Sequence, residues 1–90
     1  MKGYVWDPVK AVENFRKHRV RFADAALSLE DPLGLSTVDL GSWDEERFVF
    51  IGADPGGALL VTVYTLRGNV VRLISSRLAT RAERRSYEEG

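Results

Sequence analysis

The stretch ALLVTVYTLRGNVVRLISSRLATRAERR, residues 58–85, decides the fold of this chain. It begins with two runs rich in β-branched residues, 58–66 and 69–76, and the connection Arg67-Gly68 between them is short enough to force an antiparallel hairpin. Thr80-Arg81-Ala82-Glu83 then has the spacing of a capping box, which predicts a helix that runs to about residue 88. The stretch therefore predicts a hairpin that leads directly into a C-terminal helix.

The residues before the hairpin predict two helices and more strands. Asp7-Pro8 is typical of a helix cap and first helical position, and Val12 and Phe15 form an apolar stripe on the helix that follows, over residues 9–18. A second helix is expected over residues 22–29, because Asp31-Pro32 ends it. The strand patterns before the hairpin fall at residues 4–6, 33–40 and 47–52. Helices segregated from an antiparallel sheet are typical of an α+β fold.

Length and composition limit the possible functions. The 90 residues suit a single domain over residues 1–90, and with no cysteine and one histidine we expect neither a disulfide nor a metal site. No apolar run approaches the length of a membrane span, and the N-terminus lacks the apolar core of a signal peptide. We therefore expect a cytoplasmic protein that needs no cofactor and no membrane.

The charges are balanced in number but not in position. The formal net charge of zero argues against a non-specific nucleic-acid binder. However, the segment 10–21 carries five lysines and arginines against one acid, and the segment 67–85 carries six arginines against one acid. The segment 30–46 between them carries only acids among its charged residues. A fold that joins the two basic segments would make a cationic surface.

Two of the arginines, Arg72 and Arg77, lie inside the second strand of the hairpin. With Arg67-Gly68 as the turn, Arg72 lies opposite Val63, and Arg77 lies on the other face with Tyr64 unless a bulge intervenes. The simplest role of such an arginine is a solvated side chain or an ion pair, for which Asp44 and Glu46 are possible partners of Arg72.

A chemical role for the arginines is RNA cleavage, because RNA carries its own nucleophile in the 2′-hydroxyl. An enzyme then has to orient that hydroxyl and neutralise charge on the phosphate, which guanidinium groups do with paired donors. His18 is the side chain whose ordinary pKa suits proton transfer near neutral pH. Taken alone, His18 equally suits a helix terminus that it stabilises through the helix dipole.

Three segments resemble the BrnT family, the toxins of bacterial BrnT/BrnA toxin–antitoxin systems: WDPVKAVENFRKHRVRFADAA, EERFVFIG and TVYTLRGNVVRLISSRLATRAERRSYEE. One departure is Arg19, which stands where the family usually has glycine. The resemblance implies a RelE-like fold with two N-terminal helices and one C-terminal helix, and ribonuclease activity that blocks translation. It also implies a cognate antitoxin with a ribbon-helix-helix DNA-binding domain, through which alone the toxin would reach operator DNA.

Together, the resemblance and the arginine chemistry predict the site residues. We expect catalytic roles for His18, Arg47, Arg67 and Arg72. We expect RNA-binding roles for Lys10, Lys17, Tyr64, Arg77 and Arg81. For the antitoxin interface, Trp43, Tyr64 and Tyr87 are candidate aromatic anchors. Two other classes remain open on the residues alone: a module that binds an acidic protein without chemistry, and a nucleic-acid binder without catalysis.

Overall fold

A computed structural model of the chain describes residues 3–41 and 45–90. The elements in this part of the chain are β1 (Gly3–Val5), α1 (Pro8–His18), α2 (Phe22–Ser28), β2 (Leu35–Asp39), β3 (Arg47–Ala53), β4 (Leu59–Arg67), β5 (Val70–Leu78) and α3 (Arg81–Glu89). The α+β fold class and the helix layout predicted from the sequence are confirmed. The capping box is also confirmed, since the Thr80 hydroxyl accepts from the Glu83 N–H and the Glu83 carboxylate accepts from the Thr80 N–H.

The strands form one sheet in the order β1-β5-β4-β3-β2. Strands β2 to β5 are an antiparallel meander, as expected for strands joined by short connections. The edge strand β1 pairs parallel to β5, because the chain crosses over through the two N-terminal helices and the meander before it returns.

The register of the β4–β5 hairpin differs from the predicted one. The turn is Gly68-Asn69 rather than Arg67-Gly68, so that Arg67 pairs with Val70. Gly68 has a φ of 62°, and a glycine with positive φ at the first central position matches the twist of paired strands. The hairpin also contains a bulge, because Tyr64 pairs with Leu73 whereas Val63 pairs with Ser75. Ile74 is therefore an extra residue, and it reverses the facing of all later β5 side chains.

The main core lies between the sheet and the two N-terminal helices. It consists of Val20, Phe22, Ala25, Ala26, Leu60, Val71 and Leu73. The predicted apolar stripe of α1 is not part of it, since Val12 is 57% and Phe15 is 40% exposed. The helix forms as predicted, but it is anchored by a polar side chain, and its buried residue is Asn14.

Asn14 holds α1 against the free edge of β5. Its amide donates to the carbonyls of Val20 and Ser76 at 3.0 and 2.9 Å, and its side-chain oxygen accepts from the Ser76 N–H at 3.0 Å. β1 pairs with β5 only as far as Arg72. At Ser76 the Asn14 side chain therefore makes the backbone bonds that a neighbouring strand would otherwise make. All three bonds are buried, which makes Asn14 a strong constraint on the position of α1.

Helix α3 is held by side-chain bonds rather than by burial, because none of its residues is buried. Glu83 forms a two-pronged ion pair with Arg77 at 2.8 and 2.9 Å, and this bond lowers the pKa of Glu83 to about 2. Tyr87 donates to Asp31 at 2.6 Å, and Asp31 in turn accepts from the Ala53 N–H at 2.8 Å. These bonds, the Ala53 one first, lower the pKa of Asp31.

Candidate active site

The bulge places Arg72 and Arg77 on the same face of the sheet. Arg72 pairs with Thr65 and Arg77 pairs with Val61, and residues 61 and 65 of β4 share a face. The predicted placement of the two arginines on opposite faces was therefore wrong, because the extra residue Ile74 lies between them. This face is opposite to the one that α1 and α2 cover, since Leu60 and Leu73 of the core alternate with it.

One row of side chains crosses all five strands on this face. Arg72 lies between Val5 of β1 and Thr65 of β4, and Asp39 of β2 pairs with Arg47 of β3. The β3–β4 register, carried one residue beyond the pair Phe48–Tyr64, brings Arg47 opposite Thr65. A threonine hydroxyl is thus flanked by two arginines. We call the sheet face that carries Arg47, Thr65 and Arg72 the arginine face.

Two buried polar groups of this row lack hydrogen-bond partners within the described residues. Arg47 Nε and Thr65 Oγ1 are both buried without a hydrogen bond within the described residues, and Thr65 is 2% exposed. Asp39 is the cross-strand neighbour of Arg47, and its carboxylate accepts from the Gly41 N–H at 3.0 Å. In residues 3–41 and 45–90, neither Arg47 nor Arg72 forms an ion pair. The row therefore carries two positive charges that are not paired with a carboxylate within the described residues.

Arg67 lies at the end of β4, two residues beyond Thr65 and on the same face, about 7 Å farther along the strand. Its side chain is 66% exposed and lies 3.5 Å from the carboxylate of Glu45. An exposed pair at this distance contributes little to stability, so Arg67 is available to a ligand at small cost.

The N-terminal basic segment meets the arginine face at the bulge. Lys10, Lys17 and His18 line a shallow groove of about 240 Å³ between α1 and β5, together with Glu13, Asn14, Ile74 and Ser75. We call it the basic groove. Because Ser75 pairs with Val63, two residues before Thr65, the groove joins the arginine face about 7 Å from the Arg47–Thr65–Arg72 row. Lysines and the histidine thus border the same surface as the arginines.

The other predicted site residues lie elsewhere or are bound. Tyr64 is on the opposite face, where its ring stacks on Phe48 at 5.4 Å. Arg77 is on the arginine face, but its guanidinium is held by Glu83. Arg81 is exposed in the first turn of α3. Of the predicted antitoxin anchors, Tyr87 is bonded to Asp31, and Trp43 lies outside the described residues.

Thr65 was missed by sequence reasoning. Threonine is common in strands, and its position between two arginines depends on the register, which the sequence does not reveal. Only the position of the turn could have revealed it. With the turn at Gly68-Asn69 instead of Arg67-Gly68, the residue opposite Arg72 is Thr65 instead of Val63.

A second surface feature is an exposed apolar groove of about 370 Å³ beside α1 and α2. It is lined by Trp6, Ala11, Val12, Phe15, Arg21, Phe22 and Ala23. We call it the apolar groove. It is the place where the predicted apolar stripe of α1 remains uncovered, and contiguous apolar surface of this kind marks binding sites.

Two further features of the described residues concern membrane-spanning helices and metal-binding clusters. No helix in residues 3–41 or 45–90 is long and apolar enough to cross a membrane. The same residues contain no group of three or more histidine, cysteine or acidic side chains arranged to hold a metal ion.

A solved structure has the same fold. The 1.1 Å crystal structure of the Brucella abortus ribonuclease toxin BrnT matches with a TM-score of 0.66 and 24% sequence identity, over 90% of this chain and 100% of that one. The family model of the ribonuclease toxin BrnT of type II toxin–antitoxin systems matches residues 6–83. The chain therefore belongs to the BrnT family, and the resemblance found in the sequence is confirmed. No curated protein matches it significantly.

Proposed function

We propose that this protein is a metal-independent endoribonuclease that cleaves RNA and blocks translation, and that its active site is the arginine face with the adjoining basic groove. The family description supports ribonuclease activity. The observation that carries the site is the row in which Arg47 and Arg72 flank Thr65 and neither arginine forms an ion pair within the described residues. Such a row suits a phosphodiester, whose anionic oxygens would accept from both guanidinium groups.

The proposed chemistry is the attack of the RNA 2′-hydroxyl on the adjacent phosphorus. A 2′,3′-cyclic phosphate forms on one fragment, the P–O5′ bond breaks, and the 5′-oxygen of the other fragment takes up a proton. Arg47 and Arg72 stabilise the negative charge that develops on the non-bridging oxygens. Arg67, at the exposed end of β4, contacts the flanking backbone.

The basic groove would supply backbone contacts and proton transfer. Lys10 and Lys17 would neutralise neighbouring phosphates, and His18 lines the same groove as Ser75 on the border of the arginine face. An imidazole there would act as base or acid. Tyr64 is assigned no RNA contact, since it lies on the other face, and Arg77 is assigned mainly to the ion pair that holds α3.

The partner is an antitoxin, as the family description implies. We propose that it carries a ribbon-helix-helix DNA-binding domain and that the toxin reaches operator DNA only through it. We further propose that its toxin-binding segment is apolar with acidic side chains and occupies the apolar groove. Val12 and Phe15 supply apolar contact there. Arg19 and Arg21, the basic residues between α1 and α2, favour an acidic partner.

The test of the active site is a cleavage assay on the wild type and on Arg47→Lys, Arg72→Lys and His18→Ala, with EDTA present throughout. Lysine keeps the charge but not the paired donors, so each lysine variant should lose about 10²-fold in kcat/KM. His18→Ala should lose less and should flatten the pH dependence near neutrality. Wild-type activity in the double variant Arg47→Lys, Arg72→Lys would remove the arginine row from the mechanism.

A further inference from the structure

Two buried polar groups on the arginine face have no hydrogen-bond partner within the described residues. Arg47 Nε is a donor without an acceptor, and Thr65 Oγ1 is both acceptor and donor without a partner. They lie on neighbouring strands, and the β3–β4 register, extended one residue beyond the pair Phe48–Tyr64, brings the two residues opposite each other. Buried polar groups without partners are uncommon in folded proteins and cost stability, so a pair of them in one place calls for an explanation.

The other buried threonine of the same strand shows the ordinary arrangement. Thr62, on the opposite face of β4, is fully buried, and its hydroxyl lies 2.9 Å from the Ser76 hydroxyl. A purely structural buried threonine thus has a partner in this sheet. A valine has nearly the shape of threonine and would remove the desolvation cost of an unpaired buried hydroxyl.

We infer that Thr65 is a positioning residue for Arg47, and that the bond between them closes when an RNA phosphate binds between Arg47 and Arg72. The inference rests on the function proposed above. In the free protein the Arg47 side chain lies with Nε unbonded. A phosphate draws the guanidinium nitrogens toward it, and Nε then donates to Thr65 Oγ1. The hydroxyl thereby fixes the plane of the guanidinium against the phosphate.

The bond between Arg47 and Thr65 would thus form only when an RNA phosphate is bound. Because the bond is absent in the free state and present in the bound state, its whole free energy contributes to binding. The two unbonded polar groups also lower the stability of the free protein, because both are buried without a partner within the described residues. A variant that removes the hydroxyl should therefore fold more stably and bind more weakly, which is a combination that a structural threonine does not give.

The experiment compares Thr65→Val with Thr65→Ser and with the matched control Thr62→Val. The melting temperature is measured for each protein, and so is the affinity for a short RNA whose 2′-hydroxyls are all methylated and which cannot be cleaved. Thr65→Val should raise the melting temperature by a few degrees and weaken binding about tenfold, the scale of one hydrogen bond to a charged group. Thr65→Ser should retain wild-type affinity to within about threefold, since it keeps the hydroxyl.

Thr62→Val should do the opposite, because it leaves the Ser76 hydroxyl without its partner: a lower melting temperature and unchanged affinity. The inference is overturned if Thr65→Val lowers the melting temperature as Thr62→Val does, or if it leaves RNA affinity unchanged. Neither readout requires cleavage. A wild type that binds the methylated RNA but cleaves no RNA would contradict the proposed ribonuclease and still leave the role of Thr65 decided by these variants.

Discussion

Glu83→Gln is the change that best isolates how α3 is attached to the sheet. Glu83 has two roles, since it caps α3 at the Thr80 N–H and forms the ion pair with Arg77. Glutamine also serves at this position of a capping box, so the variant removes mainly the charge. The stability difference between the two proteins therefore measures the Arg77–Glu83 attraction.

The magnitude follows from the pKa of Glu83, which the Arg77 bond first and the Thr80 bonds next lower from 4.5 to about 2. At about 1.4 kcal/mol for each pH unit, this difference sets a ceiling of roughly 3.5 kcal/mol on the stability gained from the Arg77 pair. The side chains are 42% and 28% exposed, so solvent screens the pair and reduces the expected loss in Glu83→Gln to about 1 kcal/mol at pH 7. Because the folded-state pKa is lowered, the contribution is complete above about pH 4.5 and disappears as the pH falls toward 2.

The assay is urea unfolding of the wild type and of Glu83→Gln at pH 7 and at several values down to pH 2. The two free energies of unfolding should converge at the acid end, since glutamine does not titrate. Glu88→Gln is the matched control, because Glu88 lies on the same helix and has no ion pair within the described residues. A Glu83→Gln loss that equals the Glu88→Gln loss, or that stays constant with pH, would refute the reasoning.

Two further changes test the helices of the N-terminal half. Arg19→Gly should raise the free energy of unfolding by about 1 kcal/mol in urea titrations, because Arg19 ends α1 with a φ of 60°, where glycine is unstrained; a loss of stability would contradict this. Val12→Asp should weaken the complex with the cognate antitoxin at least tenfold in a calorimetric titration without changing RNA cleavage. Val9→Asp, which lies on the same helix outside the apolar groove and is 66% exposed, is its control, and equal effects of both changes would count against the groove.

The parts of this fold that local chemistry determines were predictable from the sequence. Asp7 accepts from the Val9 N–H at 2.8 Å as the cap of α1, and the capping box of α3 formed as its spacing indicated. The glycine that the family usually has after His18 is also explained, since that position is left-handed here. Each of these features depends on residues within a few positions of one another.

The parts that depend on distant contacts were not predictable. Both Arg67-Gly68 and Gly68-Asn69 read as two-residue turns, and sheet twist, which favours glycine at the first position, decides between them. The extra residue Ile74 has no sequence signature, yet it brings Arg77 to the face of Arg72. The rotation of α1 depends on the bonds of Asn14 to Ser76 at the β5 edge, and it leaves the stripe of Val12 and Phe15 largely exposed.

The central claim is that RNA supplies the nucleophile and the arginine face stabilises the charge on the phosphate. The most direct measurement uses a short RNA that the wild type cleaves at one bond in EDTA, and the same RNA with a single 2′-deoxy nucleotide on the 5′ side of that bond. The account predicts a 2′,3′-cyclic phosphate on the product of the first RNA and no cleavage at that bond in the second. Cleavage of the deoxy substrate at the same bond, or a product with a linear 3′-hydroxyl end, would contradict it.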